Sequence, residues 1–407
     1  MGYMHFGFDT RSDWLWPQQV LLQDCCQPRG ELVTDVRAAT RAALKEPLQF
    51  PCLERAVVPG DRVVLAVDAA IPRGGEVLAE VLQTLLAARI ELDSVTVLLS
   101  PNDRAETHES MQRIVQQQIG DGVEWIVHDP ADESGLSYLA ASKAGDPIYF
   151  QRCLAEADLV IPIGVLRPER SPGYVGVCGG LFPNFTDQKT RERFRAGYRK
   201  KWRTHQSAWR EEVEEATWLL GVQLTIQVVP GAGDDILGVL AGELATVRNR
   251  GRDWLRQAWR WEFAESTPLV VTSVEGGSEQ QTWSNVAAAF ASAAAVVEPG
   301  GTIAVCTRLT DSPGIALQAL AMDDDDRSLV GKRKQRVPED LIPATIIREI
   351  RRQRRLFLMS GLAGEMVEEL GLGHVESTHE LMNLVKRSER GIVVGNAHYA
   401  SLHVVGE

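Results

Sequence analysis

The 407-residue chain has no apolar run approaching the roughly 18–20 residues of a transmembrane helix; its longest hydrophobic stretches are strand-sized. Its opening residues, MGYMHFGFDTRSDW, lack a basic segment followed by an apolar one, so no signal peptide is expected and the expected compartment is the cytoplasm. Cysteine is scarce. The six, Cys25, Cys26, Cys52, Cys153, Cys178 and Cys306, make no CxxC pair and no Cys/His set at zinc spacing, and read as free buried thiols. Basic residues are in deficit: 43 Lys and Arg against 55 Asp and Glu give a formal net charge of −12. That balance weighs against a nucleic-acid partner or an anionic membrane surface, and leaves a local basic pocket open. At 44% hydrophobic and 24% charged, the composition is that of a globular protein, and its length predicts two domains rather than one core.

What the chain does contain is concentrated between Ala157 and Asp187, ADLVIPIGVLRPERSPGYVGVCGGLFPNFTD. Leu159 to Val165 shows no alternation and reads as a strand buried on both faces. Arg167, Glu169 and Arg170 follow it directly, then Gly173, Gly176, Gly179 and Gly180. Charge followed by glycine at a strand's C-terminal end suits an anion-binding loop, because bare backbone N–H groups can converge on a ligand. The same glycines would equally serve a tight crossover loop. Cys178 lies inside this loop, where converging N–H groups would lower its pKa.

The chain before this stretch repeats a strand-loop-helix pattern. RVVLAV ends at Asp68 and runs through AAIPRGG into a helix; SVTVLLS runs through PNDRAETHES into another. Three loops therefore bring Asp68 and Arg73, Asp103 and Arg104, and Glu169 and Arg170 to one edge of a parallel sheet, where ligands of such folds collect. Ion pairs on a solvated rim would explain the same pairs. Residues 1–60 read as irregular apart from a helix near 32–44. The charged segment 188–216 reads as two solvated helices broken near Thr204, followed by a hairpin across PGAGDD and a helix near 243–261. From about Pro268 a second α/β unit begins, with strands near 269–274 and 302–306 around the alanine-rich NVAAAFASAAAVV. Asp323 to Asp326 lack EF-hand spacing and read as a solvated loop. The expected division is an N-terminal α/β domain over 1–265 and a C-terminal one over 266–394, both doubly wound and flanking a cleft, with 395–407 returning to the first.

Several stretches resemble the nickel-pincer-nucleotide lactate racemase family: RVVLAVDAAIP, LLSPNDRAETHES, the run from HDPADESGL to ADLVIPIG, PGYVGVCGGLFPN, ILGVLAGE, VEGG and EPGGTIAV. The resemblance covers roughly Val57 to the C-terminus. It implies two α/β domains around a cleft and racemisation of 2-hydroxy acids by hydride transfer to a lysine-tethered cofactor, with two histidines as acid and base. Carried over by position, Asp68 keeps the family aspartate, and the substrate arginine falls on Ile71 with Arg73 two residues on. The two catalytic histidines fall on Asp103 and Glu169, while Arg104 and Thr107 match. The tether lysine falls on Gly179, the nickel-ligand histidine near Arg195 with His205 as the nearest substitute, and the substrate lysine near Ala288. Glycine cannot carry a covalent attachment, so a covalent nickel-pincer nucleotide is not expected, and no other cofactor is identified.

The resemblance thus makes Asp103 and Glu169 the candidate acid and base. It makes Asp68, Arg73, Arg104, Arg170 and Tyr174 candidates for binding substrate, with the four glycines as the anion loop. The expected partner is a small anion such as a 2-hydroxy acid. Two further readings stay open: a non-catalytic relative that binds an anion or a partner protein, and a divalent ion held by Asp68, Asp103 and Glu169.

Overall fold

The computed structural model describes residues 2–7, 10–14, 21–68, 70–101, 104–143, 145–174, 176–201, 206–321 and 336–406. Asp103, His205 and the aspartate run 323–326 lie outside them. Two six-stranded sheets organise the chain. The first runs Ile236–Glu243, Leu224–Pro230, Leu159–Val165, Val63–Val67, Val95–Leu99, Glu124–Val127, parallel except for the hairpin at one edge. The second is parallel throughout: Gly373–His374, Arg355–Met359, Val297–Cys306, Thr267–Ser273, Gly391–Val394, Leu21–Cys25. Among the described residues no helix is long and apolar enough to cross a membrane.

Leu159–Val165 forms over the range its apolar run predicts and sits centrally in the first sheet. Its neighbour shows why such strands carry no alternation. Val63, Leu65 and Val67 face one apolar cluster, with Val77, Val81 and Leu85 of helix Gly74–Ala87, while Val64 and Ala66 face a second, with Phe150, Leu181 and Phe182. Both faces are dry, so every position is apolar. Helix Val36–Lys45 is pinned to Gly74–Ala87 by Glu80, whose side chain is 1% exposed and takes hydrogen bonds from Arg37 and Arg41.

The region before residue 60 is more ordered than its irregular composition predicts. Leu21–Cys25, expected within the first domain, pairs in parallel with Gly391–Val394 and extends the second sheet. Such a pairing joins residues about 370 positions apart, beyond what local periodicity can signal. At the other end of the chain, Ser401–Val404 pairs in parallel with Arg260–Phe263. The two α/β units are therefore tied together at both termini. Gly242 shows how closely the connections pack: its φ is +145°, and a Cβ there would lie 2.3 Å from the Leu48 carbonyl oxygen. That backbone and that contact admit glycine alone.

Within the charged segment 188–216 the described residues form helices Gln188–Lys201 and Gln206–Leu219, and the expected break near Thr204 lies outside the described residues. The first is no solvated connection. Arg191, Phe194 and Arg195 share one face at helical spacing and are buried. This helix packs against Leu341–Arg351 of the second unit.

Candidate functional site

The C-terminal edges of the two sheets face each other, and hydrogen bonds cross between them. Gln280 donates to the Ala70 carbonyl at 2.7 Å, Arg104 to that of Gln281 at 2.9 Å, and Gly277 N–H to both oxygens of Asp234 at 3.0 and 3.1 Å. Between the edges lies a cavity of about 410 Å3, within the range of about 300–1,000 Å3 usual for small-molecule sites. The first unit contributes Asp68, Arg167, Tyr174 and the glycine loop; the second contributes Thr282, Asn285 and Ala288.

Each of these is positioned by the element beside it. Arg167 follows the central strand by two residues, its side chain half-buried, and its Nη1 donates to Asn285 Oδ1 at 2.9 Å. Asn285 lies in the first turn of helix Trp283–Ala294, capped by Thr282. A guanidinium and a helix N-terminus thus act on one place, and both favour an anion. The glycine loop is a succession of tight turns, Tyr174 N–H to Ser171 O at 3.1 Å and Gly179 N–H to Gly176 O at 3.0 Å. Gln227 holds it from below by donating to the Val177 carbonyl at 3.0 Å. A Cβ on Gly164 would stand 3.2 Å from that Gln227 amide, which accounts for a glycine inside the central strand.

Burial sets the protonation of the surrounding groups. The phenols of Tyr174 and Tyr399 are pushed above their ordinary range by desolvation and remain neutral donors; Tyr399 donates to Gln280 Oε1 at 3.0 Å. His398 is 1% exposed, and burial followed by the Arg167 charge holds its pKa well below the usual histidine value. Neither of its ring nitrogens has a hydrogen-bond partner. The Cys178 thiol is pushed up to about 12 by burial, so the glycine loop does not activate it.

The residues singled out in the sequence separate here. Asp68, Tyr174, Gly173, Gly176, Gly179 and Gly180 line the cavity. Arg73, with φ +54° just before helix Gly74–Ala87, folds onto Glu76 at 2.7 Å; Arg104 pairs with Asp311 at 2.6 Å and ties the two units together. Glu169 and Arg170 leave the cavity, because the chain turns after Pro168, with Ser171 N–H bonded to the Pro168 carbonyl at 2.8 Å. Glu169 then lies 3.7 Å from Arg252 on the flanking helix Leu244–Trp259, and its carbonyl accepts from Arg210. Arg170 is exposed and borders a separate cavity with Arg352 and His403. Asp68 and Glu169 are therefore not neighbours, and among the described residues no group of three His, Cys, Asp or Glu side chains is disposed to hold a metal ion.

The sequence reading passed over Asn285 and the GNAHYA segment carrying Asn396, His398 and Tyr399, which follows Gly391–Val394 as the glycine loop follows its own strand. Arg191, expected on a solvated helix, is buried, and its i, i+3, i+4 spacing with Phe194 and Arg195 is the sequence signal of that buried face.

A family model described as the lactate racemase N-terminal domain matches residues 12–196. No curated protein sequence matches the chain. The lactate racemase apoprotein of Thermoanaerobacterium thermosaccharolyticum superposes with a TM-score of 0.78 over 98% of this chain and 100% of its own, at 13% identity. A crystal structure of a Thermotoga maritima protein superposes with a TM-score of 0.63 over 92% of this chain and 99% of its own, also at 13% identity. The fold is lactate-racemase-like along nearly the whole chain, and residues 12–196 are similar to the lactate racemase N-terminal domain.

Proposed function

We propose that this chain is a divergent relative of lactate racemase that binds a small 2-hydroxy acid, or a related carboxylate, in the cavity between its two α/β units. The observation that carries this is Arg167, a cavity-lining guanidinium held by Asn285 at the N-terminus of helix Trp283–Ala294. A carboxylate there would gain charge-assisted hydrogen bonds and the helix dipole together. Asp68, on the opposite sheet edge from Asn285, supplies an acceptor for the substrate hydroxyl.

The lysine-tethered nickel nucleotide does not fit these side chains. No lysine is among the described residues lining the cavity, Gly179 stands where the resemblance puts the tether, and Arg195 stands near where it puts the nickel-ligand histidine. A guanidinium, charged at any working pH, is no metal ligand. Binding is favoured over racemisation, which needs proton-transferring groups on both faces of the substrate carbon. Of the two candidate carboxylates, Glu169 is drawn to Arg252 and Asp103 lies outside the described residues.

Calorimetric titration with L- and D-lactate tests the reading, with optical rotation followed on the same samples. Binding of both enantiomers without interconversion, weakened by about tenfold or more in Arg167→Met, is the expected result. Binding indifferent to Arg167→Met would overturn the site, and interconversion would restore the racemase reading.

A further inference from the structure

Helix Gln188–Lys201 presents Arg191 and Arg195 to the cavity one turn apart, with side chains 2% and 9% exposed. One carboxylate oxygen meets both: Glu339 Oε2 lies 2.6 Å from Arg195 Nη1 and 3.5 Å from Arg191 Nη2. Glu339 belongs to the other unit, on the segment entering helix Leu341–Arg351, and its side chain is 52% exposed. That segment is anchored from behind by Asp340, which accepts from Ala316 N–H at 3.1 Å and Leu317 N–H at 2.8 Å. Glu339 itself also lines the cavity.

The contrast in burial decides which partner is exchangeable. A half-exposed carboxylate returns to water at little cost. Arg195, its guanidinium buried in the cavity wall, is destabilised when this carboxylate leaves, unless another anion takes its place. Arg195 also keeps a buried Nε–H with no hydrogen-bond partner, so it has a donor to offer beyond the one Glu339 uses. What suits such a pair is what already sits there, a carboxylate. The cavity is also larger than a three-carbon acid held at Arg167 requires.

We propose that Arg191 and Arg195 form a second carboxylate subsite, that Glu339 competes for it as an internal mimic, and that the ligand is a 2-hydroxy dicarboxylate. Its carboxylate beside the hydroxyl is held at Arg167, and its far carboxylate displaces Glu339. This rests on the cavity being a 2-hydroxy-acid site.

The test is calorimetric titration of the full chain with lactate and with malate, which differ by the second carboxylate, in the wild type, Glu339→Gln and Arg195→Met. Malate is expected to bind about tenfold or more tighter than lactate. Glu339→Gln is expected to tighten malate several-fold and leave lactate unchanged, since it removes a competitor for one subsite only. Arg195→Met, checked for folding by its thermal melt, is expected to bring malate down to the level of lactate. Equal affinities for the two acids, unmoved by Glu339→Gln, would overturn the subsite while lactate binding sensitive to Arg167→Met left the proposed function standing. Failure of both acids to bind either the wild type or Glu339→Gln would overturn the proposed function and this inference with it.

Discussion

Arg167 and Asn285 meet across the boundary between the two α/β units, Nη1 to Oδ1 at 2.9 Å, in the wall of the cavity. The amide oxygen orients the guanidinium without neutralising it. Substituting Asn285→Asp would replace a neutral acceptor by a carboxylate and turn the contact into an ion pair that competes with any bound acid. Affinity for 2-hydroxy acids is expected to fall about tenfold or more, read by calorimetry, while the thermal melt of the free protein holds or rises.

Glu80 predicts an asymmetry in stability. Its carboxylate is buried between two helices, whereas Arg37 and Arg41 are 31% and 60% exposed. Removing both arginines with Ala strands a buried charge, and the midpoint of thermal unfolding is expected to fall by about 5 °C or more. Glu80→Met lets the arginines turn to solvent and is expected to cost less than the double substitution. The ranking of the two melts checks it.

Glu275 and His398 make opposing contributions to stability against pH. Desolvation raises Glu275, 5% exposed, from 4.5 to about 7. Between those values the folded state holds a proton that the unfolded state has lost. Its stabilisation is therefore complete below pH 4.5 and is lost as pH rises to about 7, an amount on the order of 3 kcal/mol. His398 is depressed, so below its unfolded value of 6.5 the unfolded state takes up the proton first, and stability falls toward acid. The two slopes cancel in part between pH 4.5 and 6.5. Glu275→Gln is expected to leave a urea midpoint that drops toward acid, and His398→Leu one that drops toward neutrality.

Gly242→Ala is expected to destabilise by about 3 kcal/mol or more, because the new methyl group would press on the Leu48 backbone at a φ that L-residues rarely adopt. A melt within a degree of the wild type would show that the Leu48 segment moves aside.

The strand-loop-helix pattern between residues 62 and 165 was legible because its signals are local. Leu159–Val165 is a continuous apolar run at the predicted limits. The glycine loop and Asp68 were legible as cavity residues for the same reason, since a strand's last residue and the loop after it must lie at the sheet's edge.

Side-chain direction beyond a turn was not legible. Arg167 and Glu169 are two positions apart, yet one lines the cavity and the other pairs with Arg252, because Pro168 and the turn to Ser171 redirect the chain between them. The sequence by itself determined two α/β units and placed the glycine loop directly after a strand, at the sheet edge that borders the cavity, all consequences of periodicity and backbone chemistry within a few residues. Only the tertiary structure decided that Leu21–Cys25 joins the far sheet, that Arg191 and Arg195 turn inward, and that Asn285 and Glu339 reach them and Arg167 from the other unit. Those outcomes depend on contacts between residues more than a hundred positions apart, and no local pattern encodes the distance between them.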